Sequence, residues 1–153
     1  MSTQYLHTMV RIRDIDESLN FYCKLLGMAE TRRWESEAGK FTNIFLAMPG
    51  DISTATETGS PTLELTYNWP DESGSTEDYQ SGRNFGHLAY EVDNIYDFCQ
   101  KLMDEGITIN RPPRDGKMAF IKSPDGISIE LLQAGKALET AEPWASMENT
   151  GNW

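Results

Sequence analysis

A duplicated pattern constrains the fold of this 153-residue chain more than any other feature. The stretch HTMVRIRDIDESLNFYCKLLGM begins at His7, and the stretch HLAYEVDNIYDFCQKLMDEGI begins at His87. Each reads as a histidine that opens a short strand, an acidic turn, an amphipathic helix and a glycine, which is Gly27 in the first and Gly106 in the second. The two glycines lie 20 and 19 residues beyond their histidines. The chain is therefore predicted to contain two copies of one module.

The segments after each glycine read as strands. TRRWESEAGKFTNIFLAM predicts a hairpin that turns at Ala38-Gly39-Lys40, and MAFIKSPDGISIELL predicts two strands joined by a Ser123-Pro124-Asp125-Gly126 turn. Each module ends on a strand with an apolar-Glu-Leu centre. We therefore predict an α+β fold of paired βαβββ modules within a single domain, residues 1–153. Its parts are module one at about 5–69, a connecting loop at 70–84, module two at about 85–134 and a C-terminal tail at 135–153. The sequence does not decide whether this tail is loose or docked.

Composition restricts the class of partner. A content of 39% hydrophobic and 10% aromatic residues suits a soluble globular protein, and no apolar run approaches the roughly 18–20 residues that span a bilayer. The N-terminal residues lack the pattern of a signal peptide. Cys23 and Cys99 show no metal-type spacing, so we expect buried thiols in a reducing cytoplasm. The net charge of −11 argues against nucleic acid or an anionic membrane, but allows a small anionic ligand held by local arginines.

The two histidines of the chain both open a module, and both modules end on a strand glutamate. Each residue taken alone has a structural interpretation, such as a hydrogen-bonded strand histidine or a glutamate on the wet face of a sheet. Duplicated modules pack with approximate two-fold symmetry, so equivalent positions converge. His7, Glu64, His87 and Glu130 therefore form a candidate metal-binding set. Two imidazoles and two carboxylates suit Zn²⁺, Ni²⁺, Co²⁺ or Mn²⁺, and the spacing leaves open a closed structural site or an open catalytic one.

The motifs HTMVRIRD, ELTYNW, FGHLAYEV and SPDGISIELL together resemble the glyoxalase I family, the lactoylglutathione lyases of the vicinal oxygen chelate superfamily, over about residues 5–133. The resemblance implies the glyoxalase/bleomycin-resistance/dioxygenase-like fold and metal ligation by His7, Glu64, His87 and Glu130. It implies a homodimer in which His7 and Glu64 of one chain face His87 and Glu130 of the other. It also implies one divalent metal ion per site, zinc or nickel, with glutathione as part of the substrate.

The implied reaction isomerises the hemithioacetal of methylglyoxal and glutathione to S-D-lactoylglutathione, which detoxifies 2-oxoaldehydes. A divalent metal stabilises the enediolate that forms when the proton next to the carbonyl leaves, and a carboxylate carries that proton to the neighbouring carbon. By resemblance Glu130 is the base, with Glu64 as its counterpart across the metal. Substrate contacts are carried over from the family to Arg11, Asn68, Arg83, His87, Lys117 and Met118. Arg32, Arg33 and Arg114 are interpreted as solvated charges.

Three alternatives remain at the level of the sequence. A CoA-thioester epimerase of the same superfamily runs similar proton chemistry, but typically has an amide where this chain has Glu64. A ring-cleaving dioxygenase uses two histidines and one glutamate around iron. A non-catalytic, drug-sequestering dimer usually lacks the metal ligands that this chain carries.

Overall fold

The computed structural model describes residues 2–80 and 82–153, so position 81 of the predicted connecting loop and position 1 lie outside the described residues. The chain divides near residue 80 into two compact units, each with its own sheet. The α+β class is therefore confirmed. Among the described residues, no helix combines the length and the apolar character needed to cross a membrane.

The first unit contains a four-stranded sheet in the order β1-β4-β3-β2. Strands β1 and β4 are parallel, and the other neighbours are antiparallel. Helical segments connect β1 to β2 and β3 to β4. In chain order the elements are β1 (His7–Ile12), α1 (Ile15–Leu19), a π-helix (Asn20–Leu25), β2 (Ala29–Ser36), β3 (Phe41–Ala47), a 3₁₀ turn (Pro49–Asp51), α2 (Ile52–Thr58) and β4 (Thr62–Asn68).

Local signals in the sequence explain where these elements begin and end. The Asp14 side chain accepts a hydrogen bond from the backbone amide of Glu17 at 2.7 Å, which satisfies one of the free amides at the start of α1. Gly27 has a φ of +85°, a conformation that stops the helical segment and that other residues rarely adopt. The buried core of this unit includes Phe21 and Tyr22 of the π-helix together with Ile44 of β3 and Leu65 of β4. Burial of these apolar side chains stabilises the unit.

The second unit repeats the arrangement with one strand fewer. It contains β5 (His87–Val92), α3 (Ile95–Asp104), β6 (Met118–Lys122) and β7 (Ser128–Gln133), in the sheet order β5-β7-β6. Strands β5 and β7 are parallel, and β6 and β7 are antiparallel. Asn94 caps α3 by accepting hydrogen bonds from two backbone amides, those of Tyr96 at 3.1 Å and Asp97 at 3.2 Å.

The predicted βαβββ order is wrong by one strand in the second unit. Within residues 107–117, all of which the structure describes, the only pairing is an isolated bridge between Arg111 and Phe120. Pro112 and Pro113 follow Arg111 directly and carry no backbone N–H, so the ladder cannot continue along this segment. The first unit also contains α2, between β3 and β4, which the sequence patterns did not predict.

The C-terminal tail is packed against the second unit without forming a helix. Trp144 is only 5% exposed, and its ring stacks on Tyr96 at 6.2 Å between centroids. The backbone amide of Thr150 donates to the carbonyl of Asn110 at 2.8 Å, and the Asn110 side-chain amide donates back to the Thr150 carbonyl at 2.9 Å. Arg114 donates to another tail carbonyl at 2.9 Å, so its interpretation as a solvated charge is wrong. These contacts order the tail as far as its last residues.

Candidate metal centre

The first histidine-glutamate pair is built by the parallel strands β1 and β4. His7 lies beside Thr62 in the strand register, and Glu64 lies two residues further along β4. Because alternate residues of a strand point to the same face, the two side chains meet diagonally across the strands. The Nε2 atom of His7 is 2.8 Å from the Oε2 atom of Glu64. We call these two residues the first pair.

The second pair, His87 and Glu130, repeats this geometry. His87 lies beside Ser128 in the register of β5 and β7, and Glu130 again lies two residues further along. The distance between His87 Nε2 and Glu130 Oε2 is 3.1 Å. The two halves of the chain therefore present the same residue types through the same strand offset.

A phenylalanine ring extends the equivalence to a third residue. Phe45 is the register partner of Glu64, and Phe120 is the register partner of Glu130. Each ring meets its histidine edge to face, with centroids 5.7 Å apart for His7 and 5.4 Å apart for His87. Such packing restricts the rotation of both imidazoles, since an edge-to-face contact is lost when either ring turns.

The polar surroundings of the two glutamates differ. Asn43 donates from Nδ2 to Oε1 of Glu64 at 2.5 Å, and the hydroxyl of Thr66 donates to Oδ1 of Asn43 at 3.1 Å. All three residues are 8% exposed. The corresponding strand positions in the second unit, two residues from Phe120 and from Glu130, are occupied by Met118 and Leu132. The first glutamate therefore sits in a hydrogen-bonded network, and the second lies between apolar neighbours.

One further side chain packs against each phenylalanine ring, and its residue type differs between the two units. The guanidinium carbon of Arg32 lies 4.0 Å from the centroid of the Phe45 ring, a cation–π contact. Arg32 is itself exposed, as the interpretation as a solvated charge requires. The ring of Trp153 stacks on Phe120 at 6.2 Å between centroids and remains 41% exposed. Arg33 forms an ion pair with Glu30, to which its guanidinium donates two hydrogen bonds of 2.7 and 2.9 Å.

The donor chemistry of the pairs fits a divalent metal ion. Each pair brings one imidazole nitrogen and one carboxylate oxygen to the same face of a sheet, and both donor types bind Zn²⁺, Ni²⁺ and similar ions. Within residues 2–80 and 82–153, no group of three or more histidine, cysteine or acidic side chains is placed so that it could hold a metal ion. One pair supplies fewer donors than the four that zinc commonly takes.

The predicted substrate contacts are distributed over both units. Arg11 is exposed on β1, on the same strand face as His7, and Asn68 ends β4, where it accepts a 3.5 Å hydrogen bond from the Tyr79 hydroxyl. Arg83 is exposed in the segment before β5. Their role in binding remains a prediction.

Met118 begins β6, and Lys117 comes directly before it. The Lys117 ammonium donates to the main-chain carbonyls of Gln133 at 2.5 Å and Gly135 at 2.9 Å. It would have to exchange these partners to bind an anionic ligand. Met118 is half-buried, and its carbonyl accepts a hydrogen bond from the Arg111 guanidinium.

Both cysteines are free thiols on helical segments rather than on the strands that carry the pairs. Burial raises the pKa of the Cys99 thiol to about 12. Burial also raises the pKa of Cys23, and the neighbouring Glu30 carboxylate adds to the effect while Arg33 opposes it. Thiols with raised pKa values carry little thiolate at neutral pH, so neither cysteine is a natural metal ligand or nucleophile.

Comparison with known proteins gives a consistent assignment. Residues 4–131 match the family model described as the Glyoxalase/Bleomycin resistance protein/Dioxygenase superfamily. The lactoylglutathione lyase of Neisseria meningitidis is 40% identical over 133 residues, which cover 84% of this chain and 88% of that protein. The lactoylglutathione lyase of Escherichia coli is 36% identical over 141 residues, which cover 87% and 96% of the two chains.

The solved structures agree with these relatives. The trypanothione-dependent glyoxalase I of Leishmania major superimposes with a TM-score of 0.74 at 34% identity, over 86% of this chain and 87% of that one. A glyoxalase I from Zea mays superimposes with a TM-score of 0.69 at 29% identity, and the match covers 44% of that longer chain. The chain belongs to the glyoxalase, bleomycin-resistance and dioxygenase superfamily.

Proposed function

We propose that this member of the superfamily is a glyoxalase I, a lactoylglutathione lyase that isomerises the hemithioacetal of methylglyoxal and glutathione to S-D-lactoylglutathione. The observation that carries the proposal is the repeated His–Glu pair, at 2.8 Å in one unit and 3.1 Å in the other. It is supported by relatives named for this activity at 36–40% identity over most of the chain. The substrate and the metal dependence are part of the proposal.

His7, Glu64, His87 and Glu130 would together hold one divalent metal ion. Imidazole and carboxylate donors suit Zn²⁺ or Ni²⁺ and are compatible with Co²⁺ and Mn²⁺. When bound, such an ion polarises the oxygens of the substrate and stabilises the negative charge that develops as the proton leaves.

The proton itself is carried by the chain. In our proposal the Glu130 carboxylate takes the proton from the carbon that bears the sulfur and the hydroxyl group, and returns it to the neighbouring carbonyl carbon. The hydroxyl proton of the first carbon passes to the oxygen of the second carbon. The first carbon then becomes the thioester carbonyl and the second becomes a secondary alcohol, so no external oxidant or reductant is needed. Glu64 would serve as the counterpart ligand.

The tripeptide part of the substrate is anionic and requires cations and amides. Arg11 and Asn68 belong to neighbouring strands of the first unit, and Arg83 is an exposed cation before β5. We propose that these three residues bind the glutathione carboxylates, with Lys117, Met118 and His87 contributing along the second unit. An arginine guanidinium suits this role because it can bind a carboxylate through two hydrogen bonds.

We also propose a homodimer in which the first pair of one chain and the second pair of the other complete each site. A two-fold axis would then generate two equivalent sites from one interface. Free thiols with raised pKa values are compatible with the reducing cytoplasm in which we place the enzyme.

The direct test mixes purified protein with methylglyoxal and glutathione and follows formation of the thioester in ultraviolet light. We expect turnover in the presence of Zn²⁺ or Ni²⁺, loss of turnover after a chelator, and recovery when one of the metals is added back. Light scattering in the same buffer should give the mass of a dimer. Absence of thioester formation with each metal in turn would refute the activity, and full activity of a monomer would refute the shared site.

A further inference from the structure

Asn43 is a buried amide of β3, which reads FTNIFLA. Burying an amide without partners costs free energy, so its hydrogen bonds identify what the residue does. An ionised carboxylate can only accept hydrogen bonds. The Asn43 nitrogen must therefore face Glu64, and its oxygen is left to the hydroxyl of Thr66 at 3.1 Å. The network determines the orientation of the amide without ambiguity.

Each of the two carboxylate oxygens of Glu64 therefore has a partner. Oε1 accepts from Asn43 at 2.5 Å, and Oε2 lies 2.8 Å from His7. A hydrogen bond to a charged carboxylate in a buried setting is among the stronger ones in proteins. Rotation of the carboxylate would break one contact or the other, so Glu64 presents one oxygen in a fixed direction.

Glu130 has no comparable support. The equivalent positions hold Met118 and Leu132, and the described residues place no amide or hydroxyl donor against its carboxylate. His87 is its polar neighbour in the described chain. The two glutamates thus occupy equivalent strand positions but differ in freedom of rotation.

We infer that Asn43 is a positioning residue, which holds Glu64 as a fixed metal ligand and leaves the proton-carrying role to the less constrained Glu130. This inference rests on the proposed function for the identity of the ligands. Groups that orient a ligand in this way typically contribute 10–100-fold to metal affinity. Asn43 would act on the metal through Glu64 and would not contact the substrate.

The test replaces Asn43 by leucine, which has a similar volume and no donor. Metal-free protein is titrated with Zn²⁺ in competition with a chromophoric chelator, so the measurement does not depend on activity. We expect a loss of Zn²⁺ affinity of roughly 10–100-fold. We also expect kcat to recover at saturating Zn²⁺, because the substitution leaves Glu130 untouched.

The matched control is the same substitution at Asn110, a buried amide that bonds to the tail. Asn110→Leu should lower the unfolding temperature and leave Zn²⁺ affinity at the wild-type value.

Thr66→Val removes the hydroxyl that orients Asn43 and should weaken Zn²⁺ binding by less than Asn43→Leu does. It provides a second route to the answer if Asn43→Leu does not fold.

Three results would overturn the inference: wild-type Zn²⁺ affinity in the Asn43→Leu and Thr66→Val variants, an equal loss in Asn110→Leu, or a kcat that stays low at saturating metal. These outcomes differ from failure of the proposed function. A wild-type protein that binds Zn²⁺ but forms no thioester would refute the activity and leave the role of Asn43 in metal binding intact.

Discussion

Replacing the two glutamates by glutamine should have different consequences, because their hydrogen-bonding partners differ. Glutamine offers one oxygen and one NH₂ group. While Asn43 keeps its present orientation, the oxygen at position 64 faces the Nδ2 atom of Asn43, which lies 2.5 Å from the carboxylate, since an NH₂ group there would oppose a second donor. The new NH₂ group is then directed towards His7, where it has no lone pair to bind a metal. At position 130 no donor fixes the amide, so its oxygen can still face the site.

The expected magnitudes follow from this difference. Glu130→Gln should retain metal but cannot accept a proton at neutral pH, and loss of a general base costs on the order of 10²–10⁴-fold in rate. That factor corresponds to roughly 3–5 kcal/mol of transition-state stabilisation. Glu64→Gln removes a ligand outright. We expect its metal affinity to fall by more than the roughly 10–100-fold that loss of a supporting contact causes.

The two variants are best compared side by side. Metal content is measured by elemental analysis after identical preparation, metal affinity by chelator competition, and kcat and KM at saturating metal. A metal-loaded Glu130→Gln variant with near wild-type kcat would refute the role of Glu130 as the base. Equal metal affinity in the two variants would refute the orientation argument that begins at Asn43.

Three further predictions concern other parts of the molecule. Arg11→Ala should raise KM more than it lowers kcat, because it removes a cation from the tripeptide end of the substrate; steady-state kinetics with an unchanged KM would contradict this. The Cys99 thiol has a pKa of about 12, so the fraction present as thiolate at pH 8 should be about 10⁻⁴. For an ordinary thiol that fraction is about a quarter. Alkylation of Cys99 in the native protein, followed by mass spectrometry, should therefore be at least ~10³-fold slower than that of glutathione, and an equal rate would show that the thiol is not buried. Trp144→Ala should lower the free energy of unfolding in urea by about 3–5 kcal/mol, whereas the same change at the 45% exposed Trp34 should cost well under half as much. Similar losses at both positions would contradict the docked tail.

Alternation assigns each histidine and each glutamate to a face of its own strand. That His7 meets Glu64 and His87 meets Glu130 depends on the parallel register between the two strands, which alternation does not fix. Duplication then identifies both pairs at once, because the same spacing recurs. The caps at Asp14 and Asn94 are also local, since each uses a side chain next to the first helical turn.

Other features depend on contacts between distant segments and were missed. The contact of Asn43 with Glu64 spans 21 residues and requires the register of β3 against β4, which periodicity does not fix. An amide residue directly before the apolar run Ile44–Ala47 was the available signal. The ring contacts of Arg32 and Trp153 likewise depend on packing. The missing strand of the second unit could have been predicted, because Pro112-Pro113 is visible in the sequence.

The duplicated rings also make the chain unusually suited to laboratory evolution. Phe45 and Phe120 hold equivalent places beside the two histidines, but one is covered by the cation of Arg32 and the other by the aromatic ring of Trp153. Neither outer residue supplies a donor to the candidate metal ligands. Libraries restricted to positions 32 and 153 would therefore vary charge and apolar surface one layer away from the ligands, so that selection for new thiols or aldehydes could proceed while both histidine-glutamate pairs stay constant.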